Sequence, residues 1–373
     1  MELCPLEKVQ HRIKLGVPLP FSVRDRASRL LLARHQVIVD EDQLEALKDR
    51  GAFVNLDELR SARAEIYEAP VQTLPGLWRK LAEQVSRVLL GMPSPQAPQA
   101  LDDAARILVA LCDRASDIAI FLTVRRDAFD GVRYGVARSV QGAVAALLSA
   151  QRLGWPAERC LTLVKAALTM NVGMLDLQER LSNQARLPNP AQRQAIRIHP
   201  TTGEQTLRAC GIEDAEWLEA VAQHHEQPGG GGYPTGLKAA SDMAGALRIA
   251  DIYTAKLASR SGREPLSPDR AIRELVATER GNPCALALAS ELGPWPPGTV
   301  VRLQGGETGV VVQRTATPGA PMVAVLSNRR GEPLVPPVQR QAQGRDCGIA
   351  SAVDERHLRV RVIPEALYAQ ARL

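Results

Sequence analysis

Residues 101–280 place apolar side chains at helical spacing and never alternate helix with strand. Ala104, Ile107, Leu108 and Leu111 share one helical face, and Val140, Val144, Leu147 and Leu148 share another. Without a strand–helix–strand rhythm, a parallel-sheet nucleotide fold is excluded and a helical bundle is expected. Aromatic residues make up only 3% of the chain, so Leu, Val and Ala must build the core, and Leu and Ala favour helices. The pattern changes near residue 292. Gly293-Pro294-Trp295-Pro296-Pro297-Gly298 reads as a stiff turn, and residues 300–303, 309–312 and 322–326 read as short strands between turn signals.

At the other end, residues 17–55 read as a small β-rich module. It has extended runs at 20–24, 30–32, 37–39 and 52–54, and one helix at 44–48 opened by Asp40-Glu41-Asp42-Gln43 and stopped by Gly51. The expected fold is mainly α: an all-helical bundle flanked by a small N-terminal α+β module and a small C-terminal β subdomain. The expected boundaries are 1–65 for the N-terminal module and 66–100 for a helical segment ending in the Pro-rich linker Met-Pro-Ser-Pro-Gln-Ala-Pro-Gln (92–99). The bundle then runs over 101–285, with the C-terminal β subdomain and tail at 286–373.

Composition narrows the class of function. A formal charge of +5 over 373 residues is a mild bias, and no basic cluster interleaves with aromatics, so nucleic acid is not an expected partner. Six cysteines, at 4, 112, 160, 210, 284 and 347, lack metal-type pairing and sit among apolar residues; they read as reduced thiols of a cytoplasmic protein. The first residues lack a secretory apolar core, and no uncharged apolar run is long enough to predict a membrane span.

The segment that carries chemistry is His224-His225-Glu226-Gln227-Pro228, then Gly229 to Gly232, then Tyr233-Pro234-Thr235-Gly236. Four consecutive glycines are entropically costly unless the backbone needs positive φ or must approach something closely. They also favour a mobile loop. His199 precedes the pair by 25 residues, and Asp251 is a lone carboxylate in an apolar helix. Three imidazoles and a carboxylate on helices of one bundle suit a transition metal such as Fe, Mn or Zn; the alternative is a polar pocket holding no ion.

His-His-Glu, the Gly-rich loop, Gly-Tyr-Pro and the downstream helix with Asp251 together resemble the HD-GYP domain of bacterial signal transduction. The resemblance covers roughly residues 101–285 and extends to the 293–312 segment. It implies an all-helical cyclic di-GMP phosphodiesterase, a hydrolase with a two- or three-metal centre. It implies metal ligands at His199, His224, His225 and Asp251. It implies ligand contacts at Gly232, Tyr233 and Pro234 and phosphate contacts at Arg260 and Arg263. In some relatives the Gly-Tyr-Pro loop docks diguanylate cyclase (GGDEF) domains.

The same resemblance exposes losses. The naming His-Asp pair falls on Ala167-Leu168-Thr169-Met170-Asn171-Val172-Gly173-Met174, so Met170 replaces the histidine, Asn171 the aspartate and Met174 a lysine. Arg138 stands at the first metal histidine and Gly229 at a loop aspartate. A neutral amide cannot bridge two dications, a thioether is a poor ligand for Fe or Mn, and a guanidinium puts a permanent positive charge where a cation would sit. The expectation is a cyclic di-GMP signalling protein with a degenerate active site, its phosphodiesterase activity lost or weak, acting by binding a ligand or a protein. Two readings stand beside it: a working phosphodiesterase with a residual single-metal site, and an adaptor that binds neither metal nor nucleotide.

Overall fold

The computed structural model describes residues 3–13, 15–17, 19, 21–33, 36–55, 62–258, 264–317, 319–358 and 360–369. The chain divides into two compact units, Met1–Glu68 and Ala69–Leu373.

In the first unit, β1 (Leu3–Pro5), β2 (Val23–Arg24), β3 (Leu30–Leu32) and β4 (Phe53–Asn55) form an antiparallel sheet in the order β1-β4-β2-β3. Helix α1 (Glu41–Asp49) starts where the acidic run predicts, because the Asp40 side chain accepts from the Gln43 amide at 2.8 Å. Leu6, Phe21, Val23, Ile38, Leu44 and Val54 close a small core. Of the expected extended run over 20–24, Pro20 lies outside the described residues, and among the rest only Val23–Arg24 form a strand. Helix α2 (Ala62–Glu68) ends the unit.

The second unit is a helical bundle carrying a sheet. Its helices are α3 (Leu74–Leu90), α4 (Ala97–Arg114), α5 (Ser116–Val124), α6 (Tyr134–Arg152), α7 (Ala157–Thr169), α8 (Leu175–Asn183), α9 (Pro190–Ala209), α10 (Ala215–Gln223), α11 (Asp242–Leu257), α12 (Pro268–Thr278) and α13 (Pro283–Leu292). The Pro-rich stretch is a short connection between α3 and α4 within this unit. Pro98 sits in the first turn of α4, where its missing N–H leaves no gap in the helical ladder.

Helix α6 runs through the middle of the bundle, with Val140, Ala143, Val144 and Leu147 all buried. The run Ala157–Asn183 is long and apolar enough to cross a membrane by composition, yet 67% of its apolar window is buried within the protein. The chain then forms β5 (Val300–Leu303), β6 (Thr308–Gln313), β7 (Met322–Ser327), β8 (Pro333–Gln341) and β9 (Ile349–Ala352), an antiparallel sheet in the order β8-β7-β6-β5-β9. The sheet belongs to the same compact unit as the bundle. Arg314, just after β6, donates to Asp117 and Ser116 on α5, and the Tyr368 hydroxyl donates to Val312 while its ring meets Phe121 edge-on.

Candidate metal centre

The three histidines expected as ligands meet. Each offers a ring nitrogen, and these atoms lie within 4.8 Å of one another. His199 and His224 are fully buried and His225 is half-buried.

Local backbone chemistry aims the first two rings. Pro200 lies inside α9 and has no N–H, so the Ile196 carbonyl loses its helical donor. His199 Nδ1 supplies the replacement at 2.6 Å. At the C-terminal end of α10 the Val221 carbonyl takes His224 Nδ1 at 2.7 Å, satisfying a group the helix end would otherwise strand. A carbonyl only accepts, so both histidines carry their proton on Nδ1. Their Nε2 lone pairs then face each other 3.2 Å apart. Neither can donate to the other unless one ring becomes cationic. Burial first, and then neighbouring imidazoles, oppose that, pushing His199 and His224 down to about 3.

A metal ion would resolve this conflict. Both Nε2 atoms would be free to hold it. The Nδ1–carbonyl bonds are the supporting contacts that metal-bound histidines generally make. The third ring, His225, stacks on Tyr233 with centroids 4.6 Å apart. Burial also lowers its pKa, to about 4, against the raising influence of Asp251. The donor set therefore fits one divalent ion.

The other half does not fit a second ion. Asp251 on α11 lies outside the histidine cluster, and its Oδ1 accepts from Arg138 Nη2 at 2.8 Å. The same nitrogen donates to the Asp251 carbonyl at 3.2 Å. Arg138 on α6 is only 3% exposed, so its charge is held inside the bundle. The expectation of Asp251 as a metal ligand meets a carboxylate already held by a guanidinium.

Asn171 lies between residues that pack on α6 and on α9. Its neighbour Met170 reaches under Gly142, one turn along α6 from Arg138, and Gly173 packs so tightly on α9 that a Cβ there would sit 2.4 Å from the His199 carbonyl. Asn171 is buried and neither amide atom has a hydrogen-bond partner among the described residues, nor do Arg138 Nε and Nη1. Met174 is half-buried in the 3₁₀ turn Val172–Met174.

The Gly-rich loop differs from the expectation of mobility. Glu226, to which the sequence reading gave no role, is buried beneath it. Glu226 Oε1 accepts from the Thr235 amide and hydroxyl at 2.8 Å each and from the Gly236 amide at 3.1 Å, while Oε2 accepts from the Leu237 amide at 2.9 Å. Burial raises its pKa, but these bonds outweigh it and hold the carboxyl below the ordinary range. A carboxylate directly after the paired histidines was the available signal.

The glycines answer to backbone need. Gly229 and Gly230 have φ of +87° and +89°, and a Cβ on Gly232 would lie 2.4 Å from the Gln227 amide nitrogen. Gly229 thus offers no side chain where the resemblance implies an aspartate. Tyr233 faces His225, and Pro234 follows it in the same loop. Arg260 and Arg263 lie outside the described residues. A cleft of about 890 Å³ between α12, α13 and the β6–β7 connection includes none of the three histidines.

Residues 130–281 match the HD domain family, a stretch that holds all three histidines, Arg138 and Asp251. The likeness to the HD domain family lies in this stretch of the chain. The matched stretch runs from just before α6 to just after α12. A cyclic di-GMP phosphodiesterase from Pseudomonas aeruginosa is 27% identical over 176 residues, 46% of this chain. The chain spans only 42% of that relative's length. A solved HDG"Y"P protein from Bdellovibrio bacteriovorus is 16% identical, covers 78% of this chain and 98% of its own, and superimposes with a TM-score of 0.46.

Proposed function

We propose that this chain is a cyclic di-GMP signalling protein of HD-GYP type whose phosphodiesterase activity is lost or weak, and that it acts by binding cyclic di-GMP or a protein such as a diguanylate cyclase. The observation that carries the reading is the Arg138–Asp251 pair, whose guanidinium is buried and whose carboxylate is half-buried. A guanidinium holds the carboxylate that a second cation would need, and Asn171 brings no charge to bridge two ions. The likeness to a cyclic di-GMP phosphodiesterase supports the choice of nucleotide. His199, His224 and His225 would hold a single divalent ion, which when bound supplies Lewis-acid polarisation of a phosphoryl oxygen.

A second reading keeps a slow phosphodiesterase working from that one ion, and the facing Nε2 atoms favour it. Purified untagged protein decides between them. Cyclic di-GMP should bind by calorimetry, metal analysis should give about one divalent ion, and hydrolysis with added Mn, Fe or Zn should stay at background. Turnover that disappears in His225→Ala would establish the second reading instead. Absence of both nucleotide binding and metal would leave a purely structural adaptor.

A further inference from the structure

Charge on this chain is not evenly spread. Between Arg180 and Gly203 there are four arginines, at 180, 186, 193 and 197, and no Asp or Glu. That stretch holds four of the +5 net charges. All four side chains are exposed. Among the described residues, none of them is ion-paired to a carboxylate. In their midst Leu187 is 89% exposed and Ile198 on α9 is 44% exposed.

The loop presenting Leu187 is held in place. Gln184 Nε2 donates to the Arg186 carbonyl at 2.7 Å and to the Leu187 carbonyl at 3.3 Å. Gln192 Nε2 donates to Gln184 Oε1 at 2.8 Å, and Arg193 Nη1 donates to the Pro188 carbonyl at 2.6 Å. Asn189 and Gln192 cap α9 reciprocally. Side-chain bonds on both flanks therefore fix a segment whose apolar residue points into water. A fixed, exposed apolar residue flanked along the chain by arginines suits a protein interface, where arginine is enriched and charge fixes orientation.

The geometry points to a docking surface formed by Leu187 and the arginines at 180, 186, 193 and 197, for a protein partner that presents acidic side chains around an apolar groove. Charge complementarity sets the sign of the partner. Pre-organisation favours a shaped protein over a lipid surface, because a membrane gains nothing from a rigid loop and one leucine is too little apolar area for stable anchoring. Helix α9 also carries His199, two residues beyond Arg197, so a partner seated here would bear directly on the histidine cluster. The surface does not depend on whether cyclic di-GMP binds.

The test uses full-length protein and a fluorescein-labelled helical peptide with one leucine stripe flanked by glutamates. A peptide of the same composition with the leucines scattered is the control. The striped peptide should bind at least tenfold tighter than the scattered one, and more weakly as salt rises. Leu187→Glu and the pair Arg193→Glu/Arg197→Glu should each weaken it on the order of tenfold or more. Arg329→Glu/Arg330→Glu, an equal charge change at an exposed turn elsewhere, should have little effect. Equal binding of both peptides, or indifference to Leu187→Glu, would overturn the proposal. So would binding to vesicles containing anionic lipid that the same variants abolish, or self-association in sedimentation that Leu187→Glu removes.

Discussion

If the Arg138 guanidinium stands in for a cation, each member of the Arg138–Asp251 pair should be costly to remove alone and cheap to remove with its partner. At an effective dielectric near 20, charges about 4 Å apart attract by about 4 kcal/mol, and breaking one side of a buried pair typically costs about 3–5 kcal/mol. Asp251 keeps 18% of its side chain exposed, so Arg138→Met should cost toward the lower end, about 3 kcal/mol. Asp251→Asn strands a guanidinium that is 3% exposed and should cost about 4 kcal/mol. The double variant leaves two neutral groups of similar volume and should lie within about 1–2 kcal/mol of the parent. The coupling is then on the order of 5 kcal/mol. In a unit of this size, about 2 °C of melting temperature per kcal/mol translates the single changes into losses of roughly 6–8 °C. Urea and thermal unfolding should be measured with chelator present, so that metal binding does not enter the cycle. Additive losses, with coupling under about 0.5 kcal/mol, would refute the idea that this pair is a neutralising unit.

Three further outcomes follow from the same geometry. Because His199, His224 and His225 have lowered pKa values in the native protein, the unfolded chain protonates first; stability is intact above pH 6.5 and falls as pH drops toward 4. The slope should approach about 1.4 kcal/mol per pH unit for each histidine in urea melts of metal-free protein, and a flat profile over that window would contradict the burial. Glu226→Gln should cost about 1.5–3 kcal/mol, and hydrogen exchange should quicken at the Thr235, Gly236 and Leu237 amides, while the histidine cluster keeps its metal. Arg138→His combined with Met170→His and Asn171→Asp should raise bound metal above one equivalent and increase cyclic di-GMP hydrolysis, read by metal analysis and product chromatography.

Much of this architecture was legible because it repeats. The helical period of α4 and α6 and the turn-bounded strands after residue 292 are local patterns that tertiary packing did not override. The paired histidines and the glycine run marked the site for a similar reason: each is a residue type that needs a special justification. What escaped the sequence was pairing across the fold. Arg138 and Asp251 are 113 residues apart, and nothing in either segment names the other. The loop looked mobile because glycine content is visible, whereas four donors converging on Glu226 exist only after folding. The Pro-rich stretch read as a linker because proline punctuates, yet at the first turn of α4 it costs the helix no hydrogen bond.

The electrostatics also bear on how many ions the bundle can hold. A two-metal centre brings at least four positive charges together and needs ionised carboxylates between and around them to offset mutual repulsion. Here the carboxylate of Asp251 is engaged by Arg138, the Asn171 amide is neutral, and Gly229 has no side chain. A second dication beside the guanidinium would meet a fixed like charge that cannot be removed by deprotonation. One ion among three neutral imidazoles meets no such obstacle, and it supplies the acceptor that both buried Nε2 lone pairs lack. The arrangement therefore favours a single occupied site at the histidines and a metal-free ion pair beside it.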